Sequence, residues 1–438
     1  MKKSTAYQTI ETIFNSALLA VDPNTAVSQN LTRKPDQLEI ANQTVSISSN
    51  RRLFLVSAGK ASIPMAQAAL NILGDSLYKG AVLTKEGIAY PSFPENVQFF
   101  MGSHPVSSQK SIDATNQIGK LLQETKADDL LICLLSGGAS ALLSSPLIPL
   151  ATWQSLSRAL LSSGCTINEF NAVRRQLDEV KGGGLATWGL PAECHTLILS
   201  DVIGNDLAAI GSGPTYFADD DPDEINVIFD KYDILDALSK SEADEILTVV
   251  SNLYPAHQFS QPVNTIISDI KIAASAAAQS AQDLGYNTQV LTTQFEGEAR
   301  ELGKFVAAIG KDLLPGHCVI LGGESTVTIR GQGMGGRNSE LGLSAAIALK
   351  DTPSVTIASL ATDGDDGATQ MAGVVVDTSI LKNGRGLGLK AEAFMKNNDS
   401  GTYFQKVENQ TNTSIFINTG LTGTNVNDLI IILKDNVT

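Results

Sequence analysis

Paired cysteines, long apolar runs and a surplus of positive charge are all missing from this 438-residue sequence. Its cysteines stand far apart with no Cys-x-x-Cys pair, which argues against a zinc ribbon or a disulfide framework. No run of about 18 apolar residues occurs, and residues 1–14 lack the apolar centre of a signal peptide. These absences predict a cytoplasmic protein with no membrane partner.

The charge balance is strongly acidic. There are 31 lysines and arginines against 46 aspartates and glutamates, a formal net charge of −15. A surface of this sign argues against nucleic acid as a partner. An anionic small molecule would need a local cluster of cations set against the overall field.

Several common catalytic motifs are also missing. The sequence contains no Gly-x-Ser-x-Gly elbow, no protein-kinase signature and no histidine set with metal-ligand spacing. The Gly59–Lys60 pair follows an apolar run, but it does not form a Walker A loop, because Phe54 and Ala61 stand where that motif needs Gly and Ser or Thr.

Apolar runs alternate along the chain with helix-like stretches rich in small residues, and the length fits two domains. Strands that are apolar on both faces indicate parallel sheets covered by helices. We therefore expect an α/β protein of two domains, residues 1–255 and 256–438, each with a mostly parallel sheet flanked by helices. A helix and a polar loop are expected before the first of these strands.

Small and charged residues follow the predicted strands, at the edge where parallel sheets bind ligands. Lys60 follows "LFLVSAGK", and "LLSGGASAL" supplies Ser136, Gly137, Gly138, Ala139 and Ser140. Glycines that leave N–H groups free at a helix start favour an anion. A tight strand-to-helix turn without a ligand is the alternative for this loop, and a solvated helix start is the alternative for Lys60.

Two further motifs carry charges beside glycines. "NAVRRQLDEVKGGGLA" brings Arg174, Arg175 and Lys181 before Gly182, Gly183 and Gly184, which suits either an anion or a solvated helix with a glycine cap. "LILSDVIGNDLAAIGSGPT" contains Asp201, Asn205 and Asp206. Asp201 ends a strand, where a carboxylate serves as a general base or a magnesium ligand, and Asp206 fits a helix cap equally well.

The glycine loop of "GQGMGGRNSELGL" has Gly331, Gly333 and Gly336 in a Gly-x-Gly-x-x-Gly pattern, but it lacks the acidic partner of a dinucleotide fold. Arg337 favours phosphate or carboxylate oxygens instead. Asp363, Asp365 and Asp366 in "ATDGDDG" indicate either a cation site or a solvated turn.

Taken together and in this order, these motifs and "TGLTGTNVNDL" resemble the glycerate 2-kinase family from about residue 5 onward. The resemblance implies ATP-dependent phosphorylation of D-glycerate at its 2-hydroxyl, giving 2-phospho-D-glycerate and ADP, with Mg²⁺. It implies a Rossmann-like N-terminal domain, a C-terminal domain with a MOFRL region at about residues 315–430, and an active site in the cleft between the domains.

Residue roles follow from the resemblance only where the motifs coincide. Lys60, Arg337 and Asp201 are expected to be catalytic, and Asp363 and Asp366 to bind metal, although Ala368 and Gln370 depart from the family's acidic loop. The residues expected to bind substrate or nucleotide are Ser136, Gly137, Gly138, Ala139, Ser140, Lys181, Gly182, Gly183, Gly184, Asn205, Asp206, Gly335, Gly336 and Asn338.

Two other functions stay open from the sequence. One is a hydroxypyruvate reductase using NAD(P)H, a name also given to members of this family, which would use the Gly331–Gly336 loop. The other is a non-catalytic relative that binds a small anion. The expected partners are D-glycerate and ATP, without nucleic acid or membrane, and the sequence leaves open whether the chain forms a homodimer.

Overall fold

The structure is a computed structural model that describes residues 1–47, 50–89, 91–253 and 261–436. The chain forms two compact units. The N-terminal unit is Pro23–Ile267, and the C-terminal unit combines Met1–Asp22 with Ser268–Thr438. The predicted boundary between residues 255 and 256 lies outside the described residues.

The N-terminal unit holds nine helices and nine strands in its described part, besides short 3₁₀ turns. The helices are α2 (Pro23–Asn30), α3 (Ser62–Leu73), α4 (Gln109–Leu122), α5 (Ala139–Leu142), α6 (Leu150–Ser163), α7 (Ile167–Gln176), α8 (Gly184–Trp188), α9 (Glu224–Lys231) and α10 (Lys240–Val250). The strands are β1 (Leu31–Lys34), β2 (Gln37–Ile40), β3 (Gln43–Ser46), β4 (Leu53–Ala58), β5 (Leu77–Lys85), β6 (Val97–Gly102), β7 (Leu130–Leu135), β8 (Glu193–Leu199) and β9 (Val263–Ser268).

The main sheet of this unit has the order β6-β5-β4-β7-β8-β9. The pairings from β6 across to β8 are parallel, as the sequence predicts. All six residues of β4 are buried, in keeping with a strand covered on both faces. Ala58 at its end pairs with Leu83 on one side and Leu135 on the other, so the loops after these strands meet at one edge.

A small antiparallel sheet, β1-β2-β3, precedes β4. The sequence predicts a polar loop here, and this expectation is wrong. Each strand has only four residues, and apart from buried positions such as Leu38 and Val45 most of their side chains contact solvent. Such short, polar strands carry too little hydrophobic alternation to be distinguished from a loop.

The C-terminal unit is formed around a second six-stranded sheet. Its helices are α1 (Thr5–Ala20), α11 (Ile270–Asp283), α12 (Ala299–Asp312), α13 (Arg337–Leu349), α14 (Thr378–Gly386), α15 (Ala391–Lys396) and α16 (Ser400–Thr411). Its strands are β10 (Asn287–Glu298), β11 (His317–Thr326), β12 (Val355–Ala361), β13 (Gly373–Val376), β14 (Phe416–Ile417) and β15 (Asp428–Lys434). Helix α1 belongs to this unit because it packs on α11.

The second sheet is mixed, with the order β10-β11-β15-β12-β13-β14. Within the described residues only β10 and β11 pair in parallel, and the other neighbours are antiparallel. This corrects the expectation of a mostly parallel sheet in both domains. The cause is β15, which is inserted between β11 and β12 in the opposite direction and is buried from Asp428 to Leu433. The prediction of a two-domain α/β protein is confirmed.

Each unit has its own apolar core. In the N-terminal unit one cluster lies around β4 and β7, and a second, helical one contains Trp153, Phe170 and Phe229. The C-terminal core includes Tyr403 and Phe404. No helix among the described residues has the length and apolarity that crossing a bilayer requires.

Candidate active site

Lys60 lies in the turn between β4 and α3, held by the loop that follows β7. The Lys60 N–H donates to Gly137 O at 2.9 Å, and the Ala61 N–H donates to Ser136 Oγ at 3.0 Å. Gly59 has a φ of +128°, and a Cβ there would lie 2.2 Å from Ser136 Oγ. Glycine is therefore required at position 59, and Ser136 fixes the turn that carries the lysine.

The ammonium of Lys60 is available to a ligand. The side chain is half-buried, and it forms no ion pair or hydrogen bond with any residue that the structure describes. A Cβ on Gly138 would come within 3.2 Å of Lys60 Cγ, so the glycine loop lies directly against the lysine stem. A partly enclosed cation without an internal partner suits an anionic ligand, because water screens it less than a fully exposed charge.

Asp201 lies on the other side of the same loop. It follows β8 after one intervening residue, and a Cβ on Gly137 would lie only 2.0 Å from its Oδ2. In the described chain the N–H groups of Gly137 and Gly138 donate to no protein acceptor. The Ser136–Ser140 loop thus brings together a free cation, a carboxylate and open N–H groups.

His104 completes this group. A Cβ on Gly138 would lie 3.0 Å from His104 Cδ2. Burial lowers the pKa of His104 to about 4, and the charges of Lys60 and Lys85 add to the effect. The imidazole is therefore neutral near pH 7, where it can accept or donate a hydrogen bond without adding to the positive charge.

Lys181 does not lie open to a ligand as the sequence predicts. Its side chain is fully buried, and its ammonium donates to Ser140 O at 2.8 Å and Leu143 O at 2.7 Å, with Asp178 3.8 Å away. Burial lowers its pKa to about 8. This placement corrects the expected ligand contact, because the ammonium is used to hold the end of α5.

The three glycines after Lys181 also serve the fold. The N–H groups of Gly182 and Gly183 donate to Ser212 O and Gly213 O, and that of Gly184 donates to Lys181 O. Their N–H groups are thus occupied, which corrects the expectation that they hold an anion. A Cβ on Gly184 would lie 1.8 Å from Glu179 O, so close packing explains the glycine there.

Arg174 and Arg175 have different surroundings. Arg175 forms an ion pair with Asp220 at 2.5 Å. The Arg174 guanidinium stacks 4.0 Å from the centre of the Phe170 ring, and its Nε is buried without a hydrogen-bond partner. Burial lowers the pKa of Arg174 to about 10, and Asp178 opposes this effect only in part. The charge of Arg174 is therefore only partly balanced by Asp178.

Asn205 and Asp206 lie in the loop after Asp201. Asn205 has a φ of +59°, a conformation that asparagine tolerates better than most residues. The exposed Asp206 accepts the Ala208 N–H at 3.0 Å and so stabilises the following turn. This capping role is the alternative that the sequence left open for Asp206.

In the C-terminal unit, Arg337 begins α13 and pairs with Asp428. Arg337 Nη2 donates to Asp428 Oδ1 at 2.7 Å and Nε donates to Oδ2 at 2.5 Å, while Glu324 lies 3.7 Å from Nη2. Burial lowers the pKa of Arg337, but Asp428 outweighs this, and the pKa is raised overall. The guanidinium is fixed in direction, and 23% of the Arg337 side chain is exposed.

Asp366 caps α13. Its carboxylate accepts the N–H groups of Asn338 and Ser339, both at 2.8 Å, and the residue is fully buried. Burial raises its pKa to about 6, although these two hydrogen bonds act in the opposite direction. A Cβ on Gly336 would lie 2.3 Å from Asp366 Oδ1, and one on Gly335 would lie 2.6 Å from Ser400 Oγ. This corrects the expectation of Asp366 as an open metal ligand, because both of its oxygens serve the helix.

Asp363 is half-buried and Asp365 is exposed. The Asp365 N–H donates to Asp363 Oδ1 at 3.1 Å. Throughout the described ranges, no three histidine, cysteine, aspartate or glutamate side chains come together as a metal site. Asp363 is left as the candidate ligand of this loop.

The 331–336 loop lies against the segment that follows α15. The Gly331 N–H donates to Asn398 Oδ1 and the Gly333 N–H donates to Asn397 O, each at 3.0 Å. A Cβ on Gly331 would lie 2.3 Å from Asn397 O. The glycines thus permit close packing, and their N–H groups are not free to cradle phosphates as in a dinucleotide fold.

Known families and proteins match nearly the whole chain. The family described as "Domain of unknown function (DUF4147)" matches residues 9–247, and the MOFRL family matches residues 317–428. The D-glycerate 2-kinase of Thermotoga maritima is 36% identical over 389 residues, which cover 87% of this chain and 90% of that protein. A crystal structure of glycerate kinase from the same organism superposes with a TM-score of 0.86 at 34% identity, covering 98% and 99% of the two chains.

This chain belongs to the glycerate 2-kinase family. It is therefore an enzyme, a kinase, and the family predicted from the ordered motifs is confirmed. A relative from Agrobacterium vitis, 35% identical over 98% of this chain and 94% of its own, is named "Putative hydroxypyruvate reductase".

In this member of the glycerate 2-kinase family, two partners of the predicted residues were not predicted from the sequence. The contact of His104 with the Lys60 loop could not be predicted, because the two residues lie 44 positions apart. The Arg337–Asp428 pair could not be predicted either, because its members lie 91 positions apart. The position of Asp428 at the start of an apolar strand was the available signal, since an acid there needs a partner.

Proposed function

We propose that this protein transfers the γ-phosphoryl group of ATP to the 2-hydroxyl of D-glycerate, giving 2-phospho-D-glycerate and ADP. The observation that carries the proposal is the Lys60 ammonium, which has no partner among the described residues and lies with Asp201 at one glycine loop. Phosphoryl transfer needs charge neutralisation and positioning at such a point more than covalent chemistry.

Lys60 is proposed to neutralise the negative charge that builds on the migrating phosphoryl group. Ser136 supports this role by fixing the Lys60 turn, and the open N–H groups of Gly137 and Gly138 would bind phosphate or carboxylate oxygens. Ala139 and Ser140 continue this loop into α5. The Lys181 ammonium donates to Ser140 O and would therefore affect the ligand only by positioning Ser140.

Asp201 is proposed to orient the 2-hydroxyl and to accept its proton. The hydroxyl oxygen then forms a bond to the γ-phosphorus as the bond from that phosphorus to the ADP oxygen breaks. Asn205 follows in the same loop and is a candidate for contact with the substrate. Neutral His104 would donate or accept a hydrogen bond beside Lys60 without competing for the proton.

Arg337 is proposed to act in the same reaction. Two of its N–H groups are used by Asp428, so the guanidinium presents its remaining N–H groups in a fixed direction. A fork of this kind suits carboxylate or phosphate oxygens. Asp428 is a positioning residue in this account.

Mg²⁺ is expected to accompany the nucleotide. Magnesium in kinase sites usually takes one or two carboxylates along with substrate phosphates, and half-buried Asp363 fits such a ligand better than the enclosed Asp366. When bound, the ion would neutralise charge on the phosphates.

The reductase is the second candidate, since one relative carries that name. It would need a nicotinamide site, and the occupied N–H groups of Gly331 and Gly333 speak against the loop that the sequence suggested. Whether the chain forms a homodimer stays open, and the cytoplasmic location stays a prediction. Light scattering on the purified protein tests the first, and localisation of a tagged chain tests the second.

The deciding experiment incubates the purified protein with D-glycerate, ATP and Mg²⁺. Enolase and pyruvate kinase then report 2-phosphoglycerate, provided that phosphoglycerate mutase is left out and a control without enolase corrects for ADP. An enolase-dependent signal is expected. ADP release without that signal would indicate another phosphorylation position, and NADH oxidation with hydroxypyruvate in the absence of kinase activity would indicate the reductase.

A further inference from the structure

A cavity of about 280 Å³ lies beside Arg337 in the C-terminal unit. The end of β11 and the chain that follows it line the cavity with alternate residues, first Ser325, Val327 and Ile329 and then three glycines, the last of which is Gly335. Alternation of this kind is expected of extended backbone, in which every second residue faces the same side. One face of this segment therefore forms a wall that changes from a hydroxyl to branched apolar groups and then to bare backbone.

The apolar part of this wall is incompletely covered. Ile329 is 81% exposed, so most of this branched apolar side chain contacts water, which is unfavourable. Val327 packs only partly against the core of the unit. A flat apolar ligand that lies along this wall would remove both side chains from water.

Polar side chains also line the cavity. Ser325 is 3% exposed, and its Oγ has no hydrogen-bond partner among the described residues, which is costly for a buried hydroxyl. Arg337 also lines the cavity, with its guanidinium directed by Asp428. The cavity thus combines an apolar wall, one unsatisfied hydroxyl and one cation. Two carboxylates also line it, but Glu340 is paired with Arg300 and Asp366 accepts the N–H groups at the start of α13.

We infer that this cavity holds the purine base and ribose of the nucleotide, with the phosphates on the Arg337 side. The glycine loop would then contact the base through its backbone surface and leave phosphate binding to side chains, because the N–H groups of Gly331 and Gly333 are already used. A small hydroxy acid such as D-glycerate would leave Val327 and Ile329 uncovered. This inference rests on the proposed use of ATP.

The test compares ADP with inorganic tripolyphosphate, which is a phosphate chain without a base. Calorimetry measures the binding of each to the full-length protein and to the variants Ile329→Asp and Val327→Trp. The first variant places a charge on the apolar wall, and the second fills the cavity. Leu314→Asp is the matched control, because Leu314 is an apolar residue of the same unit that is 63% exposed and does not line the cavity.

Both cavity variants should weaken ADP binding roughly tenfold or more, while tripolyphosphate binding and the KM for D-glycerate stay unchanged. Leu314→Asp should change none of these values. Unchanged ADP affinity in both cavity variants, or an equal loss for tripolyphosphate, would overturn the inference and leave the proposed reaction intact. Failure of the wild-type protein to bind ADP would overturn both.

Discussion

Gly137 lies so close to Asp201 that a Cβ on the glycine would come within 2.0 Å of the Asp201 Oδ2. The Asp201 carboxylate, the proposed base, can therefore occupy its position only because residue 137 has no side chain. Because the clash would involve the end of a side chain, Gly137→Ala should displace the carboxylate and leave the fold largely intact. The loop also keeps its contact with the Lys60 turn through Ser136.

We expect Gly137→Ala to lower kcat by about 100-fold or more, because a small misplacement of a catalytic group costs rates of this order. Its melting temperature should stay close to that of the wild type. The matched control is Gly386→Ala, since a Cβ there meets nothing within 4 Å. A Gly137→Ala enzyme with full activity would contradict the placement of Asp201.

The Arg337–Asp428 pair predicts a stability effect. Asp428→Asn should destabilise the protein by about 2–4 kcal/mol, because it leaves a largely buried guanidinium without its counter-charge. Urea unfolding measures this loss. Removal of the exposed Lys3–Glu11 ion pair by Lys3→Met should cost less than about 1 kcal/mol. Equal costs in the two variants would show that Arg337 does not depend on Asp428.

His104 predicts a pH effect. Its folded pKa of about 4 lies below the ordinary value of 6.5, so between these values the unfolded chain takes up a proton that the folded chain does not. Stability should therefore fall as the pH drops from 6.5 towards 4. His104→Gln lacks this contribution, and its free energy of unfolding should decline less over that interval. An unchanged decline would mean that His104 titrates normally in the folded protein.

The two aspartates of the acidic loop should respond differently to substitution. Asp363→Asn should raise the Mg²⁺ concentration for half-maximal activity several-fold. Asp366→Asn should leave that value unchanged and destabilise the protein by about 1–2 kcal/mol, because the amide cannot accept both N–H groups at the start of α13. Magnesium titrations and thermal melts separate the two effects, and the reverse pattern would restore Asp366 as the metal ligand.

The sequence predicts what depends on local pattern. The strands before Lys60, Ser136 and Asp201 are visible as apolar runs, and the rule that ligands bind at the carboxyl ends of parallel strands brings the following loops to one edge. The N-terminal unit contains this arrangement, with β4, β7 and β8 side by side. The proximity of Lys60, Ser136 and Asp201 can therefore be predicted without any knowledge of longer-range contacts.

Long-range partners are not visible in the same way. The side-chain carboxylate of Asp366 accepts two N–H groups from α13, and the loop with Gly331 depends on Asn397 and Asn398 far along the chain. Sequence spacing carries no information on such pairs. Glycines that serve packing also have the same local appearance as glycines that bind phosphate, which explains why Gly182 was expected to contact a ligand.

Lys60 provides the most direct test of the central claim. Lys60→Met keeps the apolar stem and removes the ammonium, and Lys110→Met removes an exposed lysine that pairs with Glu86. In the enolase-coupled assay with D-glycerate and ATP, the Lys60 variant should lose about 10²- to 10⁴-fold in kcat at an unchanged melting temperature, whereas the Lys110 variant should match the wild type. Wild-type formation of 2-phosphoglycerate by a folded Lys60→Met protein would contradict the account.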